Sequence, residues 1–332
     1  MIEVESLTKH YGAFEALRGL SFSAQPGEIL GLLGPNGAGK TTTMRILTGF
    51  MPPTTGTAKV AGFDVLKDSM EVRRRVGYLP ERVPLYPDMT VEGFITYWAR
   101  LRGVEKVRSQ VTETLERVNL YDRRKSLVRK LSKGMRQRLG LAQALVHNPP
   151  VIILDEPTIG IDPQQVIEVR ENVRALANDH TVLFSTHILS EAEQVCDRVI
   201  ILNRGQLIAE GKPDQLRRRL YPGESLYIEV SGADSMRIEK VLRSISGVQS
   251  VEAQGKGFAV RTKPRKDIRA EISGQIHSSG AKVVELRPIA MTLEDIFLDL
   301  ISPAVASTNG MSPRDDRPQD DEAAELFTKS EA

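Results

Sequence analysis

Cysteine is almost missing from this 332-residue chain: Cys196 stands alone, so no intrachain disulfide can form and no cysteine cluster is available for zinc. A reducing compartment suits such a composition. An excess of one charge sign is lacking too. The 45 Lys and Arg face 43 Asp and Glu, a net +2, which excludes a bulk electrostatic binder of nucleic acid or anionic lipid. No apolar run approaches the roughly 18 residues of a spanning helix, and the start, Met1-Ile2-Glu3-Val4-Glu5, has neither the basic nor the apolar region of a secretory leader. The expectation is a cytoplasmic chain with no membrane insertion of its own, meeting a membrane only through a partner. No internal repeat is present. What remains, 40% apolar and 27% charged residues, is an ordinary globular composition with room for one large domain and a smaller one.

Three regions separate by pattern. Over residues 1–220, short apolar runs (Ile29 to Leu33, Val151 to Leu154, Val182 to Phe184, Val199 to Leu202) alternate with helix-period segments such as Val166, Val169, Val173 and Leu176. That alternation predicts buried parallel strands covered by helices, an α/β domain. A helical insertion over about 86–145 interrupts it. Residues 224–301 change character after Tyr221-Pro222-Gly223 and read strand, helix, strand, strand, helix, strand, the ferredoxin-like α+β order, with a last helix starting at Thr292. Residues 303–332 hold three basic against seven acidic side chains with scattered Pro, Ser and Gly, which predicts a disordered acidic tail. The basic runs Arg73-Arg74-Arg75, Arg123-Arg124-Lys125 and Arg217-Arg218-Arg219 read as solvated helix faces.

The first apolar run leads directly into Gly34-Pro35-Asn36-Gly37-Ala38-Gly39-Lys40-Thr41-Thr42. Glycines let backbone N–H groups converge on a phosphate, and the helix that follows adds a partial positive charge at its N-terminus. Lys40 can reach the outer phosphates, and the Thr41 hydroxyl suits Mg²⁺. A second apolar strand ends in Asp155-Glu156-Pro157. Strand ends form the rim where ligands sit, so Asp155 is placed to hold a Mg²⁺ shell and Glu156 to polarise an attacking water. His187, alone among the five histidines in following a buried strand directly, is placed for a terminal-phosphate contact. A guanine-reading Asn-Lys-x-Asp is absent. Ser132, in Leu131-Ser132-Lys133-Gly134-Met135, is a good N-cap for a helix running through Leu145, a second N-terminus suited to an anion.

Taken in order, these elements resemble the ATP-binding subunit of ABC transporters over residues 1–220. The resemblance implies a RecA-like P-loop NTPase core with ATP and Mg²⁺ as ligands. It makes Gly34, Pro35, Asn36, Gly37, Ala38, Gly39, Lys40, Thr41 and Thr42 the Walker A loop, Asp155 and Glu156 Walker B, and Ser132 and Gly134 the signature. Tyr11 matches the aromatic that stacks on adenine, Gly160-Ile161-Asp162 the D-loop and His187 the switch histidine. Glu81 stands where the family usually has Gln near the metal; a carboxylate can meet Mg²⁺ but cannot donate as an amide does. Lys133 and Met135 replace the common Gly and Gln. These variants, with Ser185 to Glu191 and Met291 to Leu298, resemble the type-2 exporter branch.

In that family two cassettes face head to tail and share each ATP between one phosphate loop and the other signature. The resemblance therefore implies a second ABC ATPase subunit, expected as a homodimer, and a separate multi-span permease, with the chain peripheral at the cytoplasmic face. Tyr86, Phe94, Tyr97 and Trp98 are either the docking groove for that permease or the core of the helical insertion. Residues 225–300 are either an interaction domain or a packing element. A different reading, a soluble ABC-type ATPase that drives assembly or gating of a non-transport complex, shares every motif named.

Overall fold

The computed structural model describes residues 1–220, 225–263 and 267–289. The expected helix at Thr292, the Tyr221-Pro222-Gly223 junction and the tail 303–332 lie outside the described residues. Inward Ile2, Val4 and Leu7 set β1 (Ile2–Tyr11), which pairs across a two-residue turn with β2 (Phe14–Ala24). Next comes β3 (Ile29–Leu33), buried at every position, and then α1 (Lys40–Leu47). β4 (Thr55–Val60) and β5 (Phe63–Asp64) complete an antiparallel sheet of order β2-β1-β4-β5. This sheet has no clear signature in the sequence. Register shifts at Val4/Leu7, Leu7/Lys9 and Lys9/His10 break the period of two that would have marked its central strand.

α2 (Ser69–Arg75) and β6 (Val76–Leu79) precede the helical insertion, built from α3 (Val91–Leu101), α4 (Val107–Arg117) and α5 (Lys133–Leu145). The Thr90 hydroxyl caps α3 by accepting from Gly93 N at 3.0 Å, and Val91, Phe94, Ile95 and Ala99 form its buried face. The Arg73 run is less solvated than its charge suggests. Arg73 donates to the Gly49 carbonyl at 2.7 Å, and the Arg75 guanidinium lies 4.0 Å above the Phe63 ring.

β7 (Val151–Asp155), α6 (Pro163–Leu176), β8 (Thr181–Thr186), α7 (Leu189–Val195), β9 (Arg198–Asn203), β10 (Gln206–Gly211) and α8 (Pro213–Leu220) follow. The second sheet has the order β10-β9-β3-β8-β7-β6 and is parallel except for the β9–β10 hairpin. β3, β7 and β8 are buried throughout because both faces are covered. One face, with Ile29, Leu33, Ile152, Leu154 and Phe184, packs against the insertion through Phe94 and Leu139. The other, with Leu30, Leu32, Ile153 and Leu183, packs on Met44 and Ile46 of α1 and on Ile2 and Leu20 of the first sheet. Each such Leu or Ile contributes about 1.5–3 kcal/mol by leaving water. At Gly31 the packing is so close that a β-carbon would sit 2.8 Å from Cys196 Sγ, and burial raises that thiol's pKa.

The register fixes the site. Leu33 pairs with Thr186 and Asp155 with Ser185, so β3, β8 and β7 end along one edge with β8 in the middle. A third sheet comes from β11 (Ser225–Ser231), α9 (Ser235–Ser244), β12 (Val248–Gln254), β13 (Gly257–Thr262), α10 (Arg269–Ser278) and β14 (Lys282–Ile289). Its strands are antiparallel in the order β12-β13-β11-β14, the ferredoxin-like arrangement read from the sequence, over a core of Leu226, Ile228, Ile238, Leu242, Val260 and Ile272. Among the described residues no helix is long and apolar enough to cross a membrane.

Candidate active site

Residues 34–39 turn the chain from β3 into α1, and Pro35 to Gly39 line a cleft of about 460 Å³ together with Lys40, Thr41 and Thr42. Gly39 (φ 104°) must be glycine, since a β-carbon would meet Leu17 Cδ2 at 2.7 Å and the Ala16 carbonyl at 2.9 Å. It caps α1 without a side chain, which leaves the first N–H groups of the helix to an outside acceptor. Pro35, Asn36, Gly37 and Ala38 form the loop wall, while Gly34 is backed against the Leu202 carbonyl. Lys40, only 6% exposed, donates to Gly34 O at 2.6 Å and lies 3.3 Å from Glu156 Oε1. The ammonium is thus held over the loop and oriented by its carbonyls.

Glu156 is the junction of the site. Its Oε2 accepts from His187 Nδ1 at 2.8 Å, so one carboxylate joins the phosphate-loop lysine to the end of β8. Its backbone is left-handed (φ 49°), unusual for a residue with a β-carbon. The Ser185 hydroxyl holds it there, accepting from Glu156 N at 2.9 Å while donating to Asp155 Oδ1 at 2.7 Å. Asp155 lies beneath the cleft, 1% exposed. Burial raises its carboxyl above the usual range; the Ser185 and Thr41 hydroxyls pull the other way, and Glu156 and Glu81 push it up further. A divalent cation would relieve that stress. Thr41, Asp155 and Glu81 are a hydroxyl and two carboxylates, the oxygen set that Mg²⁺ prefers, and Thr41 and Glu81 both line the cleft.

Tyr11 lines the mouth, and so does Phe14, which the sequence reading misses. The two are cross-strand partners at the tip of the β1–β2 hairpin, and Tyr-Gly-Ala-Phe with a two-residue turn was the available signal. Ile159 and Ala16 also line it and carry no sequence signal. Ser132 and Gly134 are not among the lining residues. Ser132 caps α5, accepting from Met135 N at 3.2 Å, and is exposed. Gly134 is covered by the Gln165 side chain, and Lys133 Nζ lies against Gly160. Met135 packs on the main core. Of Tyr86, Phe94, Tyr97 and Trp98, Phe94 is fully buried, and its ring meets Tyr86 and Trp98 edge-on at 6.0 and 6.4 Å; Tyr86 and Tyr97 stand half in solvent.

A phosphate loop on a buried parallel strand, facing an Asp-Glu strand end and a histidine, defines a nucleoside-triphosphate hydrolase. Residues 17–159 match the ABC transporter family, and residues 211–301 match the C-terminal domain of DrrA1-3-like ATP-binding proteins. The chain is 34% identical to the bacitracin transport ATP-binding protein BcrA of Bacillus licheniformis, over 91% of this chain and 97% of BcrA. It is 35% identical to the linearmycin resistance ATP-binding protein LnrL of Bacillus subtilis, over 76% of this chain and 81% of LnrL. Among solved structures it is similar to the ATP-binding cassette MJ0796, a dimer in a post-hydrolysis state bound to ADP and Pi: 26% identity, TM-score 0.59, 64% of this chain and 98% of that one. The chain belongs to the ATP-hydrolysing, ATP-binding subunits of ABC transporters, and its resemblance to the type-2 exporter branch stands.

Proposed function

We propose that two copies of this chain close head to tail on two ATP molecules, and that this closing and opening drives export through a separate multi-span permease. The observation that carries the reading is the division of the motifs. Lys40, Glu81, Glu156 and His187 share one cleft, while Ser132 and Gly134 stand at another helix end outside its lining. One molecule therefore has two half-sites, and a second molecule completes each. Residues 1–220 form the ATPase and residues 224–301 an accessory domain.

The roles follow from the contacts. Tyr11 takes the adenine ring, residues 34–42 hold the phosphates, and Lys40 exchanges its loop carbonyls for outer phosphate oxygens. Glu156 accepts a hydrogen bond from the attacking water. His187, its Nδ1 on Glu156, has Nε2 left for a terminal phosphate oxygen. Ser132 and the N–H groups at the start of α5 meet that phosphate from the other subunit. A Mg²⁺ bound by Thr41, Asp155 and Glu81 would supply positive charge for the phosphoryl oxygens. Half-exposed Tyr86 and Tyr97 offer the permease its contact.

Glu156→Gln is expected to keep ATP binding, lose about 10²- to 10⁴-fold in turnover and elute as an ATP-dependent dimer on size exclusion. Full-rate hydrolysis by that variant would overturn the role of Glu156. Wild-type protein that stays monomeric in saturating Mg²⁺-ATP, with per-molecule turnover indifferent to dilution, would overturn the shared site. Recovery from detergent-solubilised membrane without a multi-span companion would favour the non-transport ATPase.

A further inference from the structure

Glu191 is a buried carboxylate, 2% exposed, and the site described above makes no use of it. It lies on α7, four residues beyond His187. An ionised carboxylate in the interior is costly unless every lone pair is used. Here Oε2 accepts from Thr158 Oγ1 at 2.7 Å and from Thr186 Oγ1 at 3.0 Å, while Oε1 lies 3.4 Å from an Arg170 nitrogen. Arg170 belongs to α6 and also donates to Gln194 Oε1 at 2.7 Å.

The two threonines are the point of interest. Thr158 lies two residues after Glu156, and Thr186 immediately precedes His187. A hydroxyl has one proton. Because Thr186 gives its proton to Glu191, its lone pairs face the Ile188 N–H, which donates at 3.0 Å and closes the turn carrying His187. On the strand side, Ser185 already ties Asp155 to the Glu156 N–H. The Glu156–His187 contact is thus flanked by two hydroxyl crosslinks, and the second exists only through Glu191. A left-handed Glu156 needs such an anchor after it, since its backbone conformation is not self-sustaining.

We propose that Glu191 is a positioning residue for hydrolysis: its carboxylate holds the segment behind Glu156 and the segment ahead of His187 at a fixed separation, so that the two side chains meet. This rests on the reading of Glu156 and His187 as the reacting pair. Gln replaces it poorly: with its oxygen toward the threonines its N–H groups face the Arg170 guanidinium and push that side of the link apart, and with its oxygen toward Arg170 it no longer accepts from either hydroxyl, which must then turn round to accept.

The test compares wild type, Glu191→Gln, Thr158→Val, their double variant and Glu156→Gln in steady-state ATPase assays of the full chain. Glu191→Gln and Thr158→Val are each expected to lower kcat about tenfold with KM for ATP within about twofold, the signature of misplaced groups rather than lost binding. The double variant is expected to fall no further than the worse single one, since both break one link. Should Glu191→Gln fail to fold, Thr158→Val and the near-isosteric Thr186→Val carry the same comparison. Wild-type kcat in the Glu191 and threonine variants beside an inactive Glu156→Gln would overturn the positioning role alone. So would losses that multiply in the double variant, or a loss confined to KM. Full activity in Glu156→Gln would overturn the site and this proposal together.

Discussion

Ser185 shows how much a single hydroxyl can organise. Fully buried, it spends its proton on Asp155 and its lone pair on the Glu156 N–H, so it joins the proposed metal ligand to the proposed water-orienting residue. Ser185→Ala leaves both groups buried with one partner fewer, a cost of about 1–3 kcal/mol. The variant is expected to melt lower and to lose kcat more than KM, measured by thermal denaturation alongside ATPase kinetics. The sequence marks Ser185 only as the first residue of the stretch Ser185 to Glu191 and not as a bridge, because its partners are some thirty residues away and meet it only through the β7–β8 register. The phosphate loop is the opposite case. Its nine residues act together because they are adjacent, so their spacing alone states their chemistry. Phe14 falls between: its place at the mouth depends on pairing with Tyr11, a local hairpin that the residues announce only faintly.

Among the elements, legibility follows burial. β3, β7, β8 and β9 read as continuous apolar runs because helices or a second sheet cover both faces, and the third sheet reads cleanly because helices cover one. β1 and β2 face solvent on one side and carry register shifts, so their pattern dissolves. The Thr90 cap belongs to this scale. It starts α3 and also bridges to Leu127, which ties the entry of the insertion to the segment leading toward α5. Thr90→Ala is expected to lower stability by about 1 kcal/mol, the usual value of an N-cap, with KM for ATP unchanged. A calorimetric melt of the two proteins checks it.

For the molecule as a whole, two histidines that are folded neutral contribute to the acid side of the stability curve. Burial, with the Arg102 guanidinium adding to it, takes His147 down to about 4 from the ordinary 6.5, and burial also lowers His180. The unfolded chain binds protons at these rings where the folded chain does not. Stability from His147 is therefore complete above about pH 6.5 and is lost as pH falls toward 4, by at most about 3 kcal/mol. His147→Gln is expected to flatten that limb, seen as a smaller drop in Tm between about pH 7.5 and 5.

The contact between Gly31 and Cys196 reaches beyond packing. With its sulfur sealed against the phosphate-loop strand and its thiolate disfavoured by burial, the chain's one native thiol is a poor target for maleimides. The wild-type sequence is in effect already a cysteine-free background for site-directed labelling. A fluorophore or spin label on a single added surface cysteine would report intersubunit distances in the proposed dimer, with no need to disturb the strand that feeds the nucleotide loop.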